Sequence, residues 1–174
     1  MHKKGLLMVN TGNGKGKTTA ALGLAIRAAG QKLKVCIIQF IKGSLKYGEI
    51  EALKRFNDTI ELHIMGRGFT FKSDDIEKDI KIAQNAWNFA KETILSKKHN
   101  LVILDELTYL ITYKMVPEEE IIEFLKNRPS EMHIMVTGRN ACESLINIAD
   151  MVTSMEAVKH HYNNGINAQK GIEF

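Results

Sequence analysis

The densest chemistry in the 174-residue chain lies in Gly12-Asn13-Gly14-Lys15-Gly16-Lys17-Thr18-Thr19. Three glycines let backbone N–H groups converge on an anion, because no Cβ stands in the way. Lys17 offers a point charge to phosphate oxygens. The Thr18 hydroxyl suits the shell of a bound Mg2+. The apolar run Gly5-Leu6-Leu7-Met8-Val9 leads in, and the helix-compatible run from Ala20 to Ala29 leads out. The positive end of that helix points at the same anion. Strand, glycine-rich turn, Gly-Lys-Thr and helix is the layout of a phosphate-binding loop. Against the pattern G-x-x-x-x-G-K-[ST], Thr11 fills the first glycine position and Gly12 comes one residue late, so the loop is a variant. The plain alternative is a glycine-rich turn that binds nothing.

A second signal is Asn100-Leu101-Val102-Ile103-Leu104-Asp105-Glu106, an apolar strand ending in two carboxylates. A carboxylate there lies across from a phosphate loop and holds Mg2+ directly or through water. Glu106 is taken as the metal-side residue, with Thr18. The third signal is Arg139, just beyond the buried run from His133 to Thr137, where a guanidinium neutralises phosphate charge. A surface salt bridge is its alternative reading.

The elements that position these residues follow from periodicity. Lys34 to Ile41 is a continuous apolar run, as expected of a strand covered on both faces of a parallel sheet. Ile50 to Phe56 reads as a short helix, and Ile60 to Met65 alternates like a more exposed strand. Ser73 is the expected N-cap of a long helix whose inner face carries Ile76, Ile80, Ala83, Trp87, Ala90 and Ile94. Trp87 is expected in the core. Glu118–Lys126 and 141–148 are helical, and 151–158 is a last strand. Phe69 and Phe71 lie in the glycine-flanked stretch 66–71, where large apolar groups need a partner. A loop folded back onto the core is the other reading.

Composition bounds the rest. Hydrophobic content of 44% and charged content of 25% fit a globular domain, and the length fits a single one over 1–174. A net charge of +4 fits an anionic ligand, but no dense Lys/Arg block marks a nucleic-acid partner. No stretch reads as a signal peptide or a membrane span. Cys36 and Cys142 lack metal-type spacing, and Cys36 is expected to be a buried thiol in a reducing, cytoplasmic setting. No His-x-x-x-His or Cys-x-x-Cys pair occurs, so no structural transition-metal site is expected. Strands alternating with helices predict an α/β fold: a mostly parallel sheet with helices on both faces.

Several blocks in order resemble the P-loop type ATP:corrinoid adenosyltransferases. They are Thr11 to Ala21, Ile38 to Gly43, Met65 to Phe71, Leu104 to Tyr109, Thr137 to Arg139, and Val158 to His160 with Gly165, Ala168 and Gln169. The resemblance implies a P-loop NTPase fold of RecA-like type, usually a homodimer. It also implies transfer of the 5′-deoxyadenosyl group of MgATP to the Co(I) centre of a reduced corrinoid, with release of triphosphate. ATP is then held reversed, with its γ-phosphate where an α-phosphate usually lies. Gly12 to Thr19 cradle the triphosphate, and Thr18 and Glu106 serve Mg2+. Lys17, Glu106 and Arg139 act in catalysis, Arg27 adds a nucleotide contact, and Phe69 and Phe71 face the corrin. An electron donor such as a reduced flavoprotein is implied. Phe71 stands where the family often has Trp, and Arg67 where it commonly has an acidic residue. The family's better-known members carry a longer N-terminal arm, whereas four residues precede the first apolar run here. The residues alone leave open a P-loop ATPase, a small-molecule kinase or a nucleotide-binding regulatory module.

Overall fold

Strand residues alternate between two apolar layers, and that alternation sets the architecture. In the computed structural model, which describes residues 4–43, 47–68 and 76–173, six strands form one sheet. They are β1 (Leu7–Thr11), β2 (Val35–Gln39), β3 (Ile60–Ile64), β4 (Leu101–Asp105), β5 (His133–Thr137) and β6 (Met151–Ser154). Their order is β3-β2-β4-β5-β1-β6, and every neighbouring pair is parallel. β1, β2 and β4 are buried along their whole length, as continuous apolar runs in a doubly covered sheet should be.

On one face Met8, Val35, Ile37, Leu101, Ile103 and Met135 meet α1 (Lys17–Gly30). That helix presents Ala21, Ala25, Ala28 and Ala29, whose short side chains let it lie close to the strands. On the other face Leu7, Cys36, Ile38, Val102, Leu104 and Val136 meet α3 (Ile76–Leu95). The same layer takes Ile121 and Leu125 of α5 (Glu118–Lys126) and Leu145 of α6 (Glu143–Ile148). Trp87 of α3 is fully buried there, and its Nε1–H donates to Glu120 at 2.9 Å. α2 (Gly48–Leu53), continued by a 3-10 turn, links β2 to β3.

The structure departs from expectation in five places. The first strand runs on to Thr11, two residues past Val9, because Asn10 and Thr11 still pair with β5 and β6. Ile76 is 70% exposed, and the buried side chain in that turn is Asp79, held 3.6 Å from Arg67. The last strand stops at Ser154 and all four of its residues are exposed, as on an open sheet edge. The helix expected from 141 begins at Glu143. A short helix, α4 (Thr108–Thr112), follows the acidic pair without any periodic signal to announce it. Ser73, Phe69 and Phe71 lie outside the described residues.

Candidate active site

β1 delivers the glycine loop to the C-terminal edge of the sheet, the edge where open α/β sheets place their ligands. Gly16 adopts φ 107° and starts α1 without a side-chain cap. Its glycine is needed because an L residue there would be strained. Gly12 and Gly14 have a further reason. A Cβ at Gly12 would lie 2.4 Å from the Met155 carbonyl oxygen, and one at Gly14 would lie 2.6 Å from that of Glu156. The chain leaving β6 therefore backs the loop, and the Gly14 N–H donates to Met155 at 2.6 Å. Lys17 is buried, and its Nζ donates to the carbonyls of Gly12 (2.8 Å) and Gly14 (2.6 Å). Burial lowers its pKa, with Arg139 and Lys15 adding to the effect and Glu106 opposing it. Asn13 and Lys15 of the loop and Thr19 in the first turn of α1 are exposed.

The acidic pair divides its work. Asp105, 1% exposed, ends β4 opposite Gln39 and is the hub of a buried network. It accepts from Thr18 Oγ1 (2.8 Å), Thr137 Oγ1 (2.7 Å) and Gln39 Nε2 (3.1 Å). Glu106 follows at φ 65°, a left-handed conformation that turns its side chain off the strand. Its N–H donates to Thr137 Oγ1 at 2.9 Å. Its carboxyl is pushed up to about 7, first by burial and then by Asp105, against the pull of Lys17, Lys42 and Arg139. Glu106 Oε2 is buried without a hydrogen-bond partner. A carboxyl this costly to ionise, beside a second carboxylate, is suited to a cation.

Arg139 is exposed after β5 and lies within electrostatic reach of Lys15, Lys17, Glu106, Tyr109 and Tyr113. Lys17, Thr18, Glu106 and Arg139 are thus brought together. Arg27 is not. It is exposed in the last turn of α1, about 15 Å along the axis from Lys17 at 1.5 Å per residue. Sequence reasoning missed Asp105 as the hub, and Gln39 and Thr137 as its partners. Polar residues at the ends of three buried strands were the available signal. It also missed the parallel rings of Tyr109 and Tyr113, 5.6 Å apart at 12°.

The loop after the first strand, the carboxylates closing β4 and the parallel strand order define a P-loop α/β protein. The flagellar accessory protein FlaH from Methanocaldococcus jannaschii shares this fold, at TM-score 0.59 and 16% identity over 87% of this chain and 71% of that one. More closely, residues 3–174 match the family described as ATP:corrinoid adenosyltransferase BtuR/CobO/CobP, and the chain belongs to that family. It is 42% identical to a corrinoid adenosyltransferase of Sinorhizobium sp, over 99% of this chain and 81% of that protein. It is 40% identical to one from Pseudomonas aeruginosa, over 99% and 85%, and 38% identical to one from Escherichia coli K12, over 99% and 87%.

Proposed function

We propose that this chain transfers the 5′-deoxyadenosyl group of MgATP to the cobalt of a reduced corrinoid and releases triphosphate. Membership of the adenosyltransferase family over residues 3–174 carries the reading. In this reaction the Co(I) electron pair attacks C5′, the Co–C bond forms, and the C5′–O bond breaks. The electron pair of that bond leaves on triphosphate. The nucleophile belongs to the substrate, so the protein's task is to place two reactants and stabilise a polyanionic leaving group. Lys17, Lys15 and Arg139 offer positive charge, and the loop from Gly12 to Thr19 offers backbone donors. Lys42, beyond β2, adds a cation within reach of Glu106.

The donor set fits Mg2+. Thr18 Oγ1, Asp105 and Glu106 are hard oxygen ligands, and the orphaned Glu106 Oε2 gains a partner when a cation arrives. Mg2+ bound there would neutralise charge on the triphosphate as the bond to C5′ weakens. Phe69 and Phe71 face the corrin in this reading and displace its lower axial ligand, which eases reduction of Co(II). The electron donor is of the reduced flavoprotein kind. The enzyme works as a cytoplasmic homodimer of one-domain chains. No helix among the described residues is long and apolar enough to cross a membrane.

Anaerobic incubation with MgATP and chemically reduced cob(I)alamin tests the reaction. A light-sensitive adenosylcorrinoid spectrum with equimolar triphosphate is the expected result. ADP and phosphate, with no change at the corrin, would revive the ATPase or kinase reading.

A further inference from the structure

A second group of ligand-type side chains lies on the sheet's other flank, away from the phosphate loop. Glu61 and His63 alternate along the edge strand β3 and so share one face. The parallel register sets Cys36 of β2 directly opposite Glu61. On that face a sulfur of Cys36, a carboxylate oxygen of Glu61 and a ring nitrogen of His63 all lie within 4.8 Å of one another. His99, on the turn before β4, brings its Nε2 to 3.3 Å from Glu61 Oε2, while His63 Nε2 is 3.7 Å from the same oxygen. The His63 ring is braced by Phe89 of α3, with centroids 4.7 Å apart.

Packing alone does not account for this group. The Cys36 side chain is wholly buried in the core layer yet faces a carboxylate. Burial, aided by Glu61, pushes its thiol up to about 12. His99 is only 8% exposed at its side chain, and Nε2 is the ring nitrogen it turns to Glu61. A cation among these groups would use the Cys36 thiolate, the Glu61 carboxylate and the His63 imidazole together. Two metal–ligand bonds of about 2.0–2.3 Å span up to about 4.6 Å, so small rotamer shifts bring three ligands onto one ion. One sulfur with nitrogen and oxygen suits a borderline ion and disfavours Mg2+, which wants oxygen alone. Partly exposed Glu61 and His63 leave an entry path from the sheet edge.

We propose that Cys36, Glu61 and His63 form a binding site for one divalent transition-metal ion of the Zn2+ class, with His99 holding the Glu61 carboxylate from behind. On binding, the Cys36 thiol gives its proton to solvent and the sulfur–metal bond forms. The ion pins β3 to β2 just before the 66–68 stretch, whose Gly68 N–H donates to Ile41 at 2.8 Å. It plays no part in the adenosyl transfer proposed above.

The test is titration of the full chain, without ATP, with Co(II) as the spectroscopic probe. One equivalent should bind with a thiolate-to-cobalt charge-transfer band and the visible bands of a tetrahedral ion, and Zn2+ should displace it. Cys36→Ser and His63→Ala should each abolish the charge-transfer band, whereas Cys142→Ser should keep it. His99→Gln should weaken binding by about 10–100-fold. His63 is partly exposed on an edge strand, so His63→Ala remains informative where Cys36→Ser fails to fold. Absence of a charge-transfer band, its survival in Cys36→Ser, or Co(II) affinity unchanged in His63→Ala would overturn the proposal.

Discussion

At the residue scale, Lys17 and Glu106 are each held at a cost that a ligand would relieve. Lys17 spends its ammonium on the carbonyls of its own loop. In the proposed reaction phosphate oxygens compete for that amine, and in the transition state they carry more charge than in bound ATP. Lys17→Ala should therefore lower kcat for adenosyl transfer by about 10²–10³-fold, the loss typical of one preorganised donor, in steady-state assays with cob(I)alamin. Near-normal turnover would remove Lys17 from the machinery. Glu106 makes a prediction about stability. Its folded pKa, about 7, lies above the ordinary 4.5. The folded state thus keeps a proton that the unfolded state has lost between those values, and stability falls as pH rises through that window. The loss above it is on the order of 3 kcal/mol, from 1.36 kcal/mol per pKa unit. Glu106→Gln should unfold at higher urea than the parent at pH 8, show little difference at pH 4, and lose Mg2+-dependent turnover. Equal urea midpoints at pH 8 would mean that the carboxylate is not buried at a cost.

At the scale of elements, the phosphate loop depends on a segment more than a hundred residues away. Gly12→Ala would place a Cβ 2.4 Å from the Met155 carbonyl oxygen at φ 92°. We expect a loss of about 1–3 kcal/mol in thermal or urea unfolding, as for other overpacked sites, together with weaker ATP binding. For the aromatic stretch, Phe69→Ala should impair turnover starting from Co(II) more than turnover from chemically reduced Co(I). Equal losses would mean that Phe69 only packs. The parallel sheet was legible because buried strands read as apolar runs, and His133–Thr137 and Glu118–Lys126 appear with the bounds expected of them. α4 was not, since five residues carry no usable period. Nor could spacing tell which of Asp105 and Glu106 ends the strand, because the left-handed turn at Glu106 is a backbone choice. The group made by Cys36, Glu61 and His63, with His99 beside Glu61, was hidden for a related reason. Its members come from three segments that only register brings together.

At the scale of the whole molecule, the C-terminal tail returns to the loop. Glu173 forms an ion pair with Lys15, and His161 lies 3.6 Å from the same carboxyl group. In the proposed reaction this carboxylate competes with triphosphate for the Lys15 cation. Glu173→Gln should lower KM for ATP by about two- to five-fold, as expected of a pair worth at most about 1 kcal/mol, and leave kcat unchanged. An unchanged KM would show that Lys15 is shared without competition. The strand order has a temporal consequence as well. β1 has no partner near it in the sequence: Leu7 pairs with Ile134, and Met8 pairs with Met151. During synthesis at roughly 5–20 residues per second, the first strand leaves the ribosome many seconds before either neighbour exists. Its apolar face must wait, exposed or chaperoned, until the last quarter of the chain arrives. The glycine loop that follows this strand is therefore among the last parts of the molecule to take shape, although it is encoded almost first.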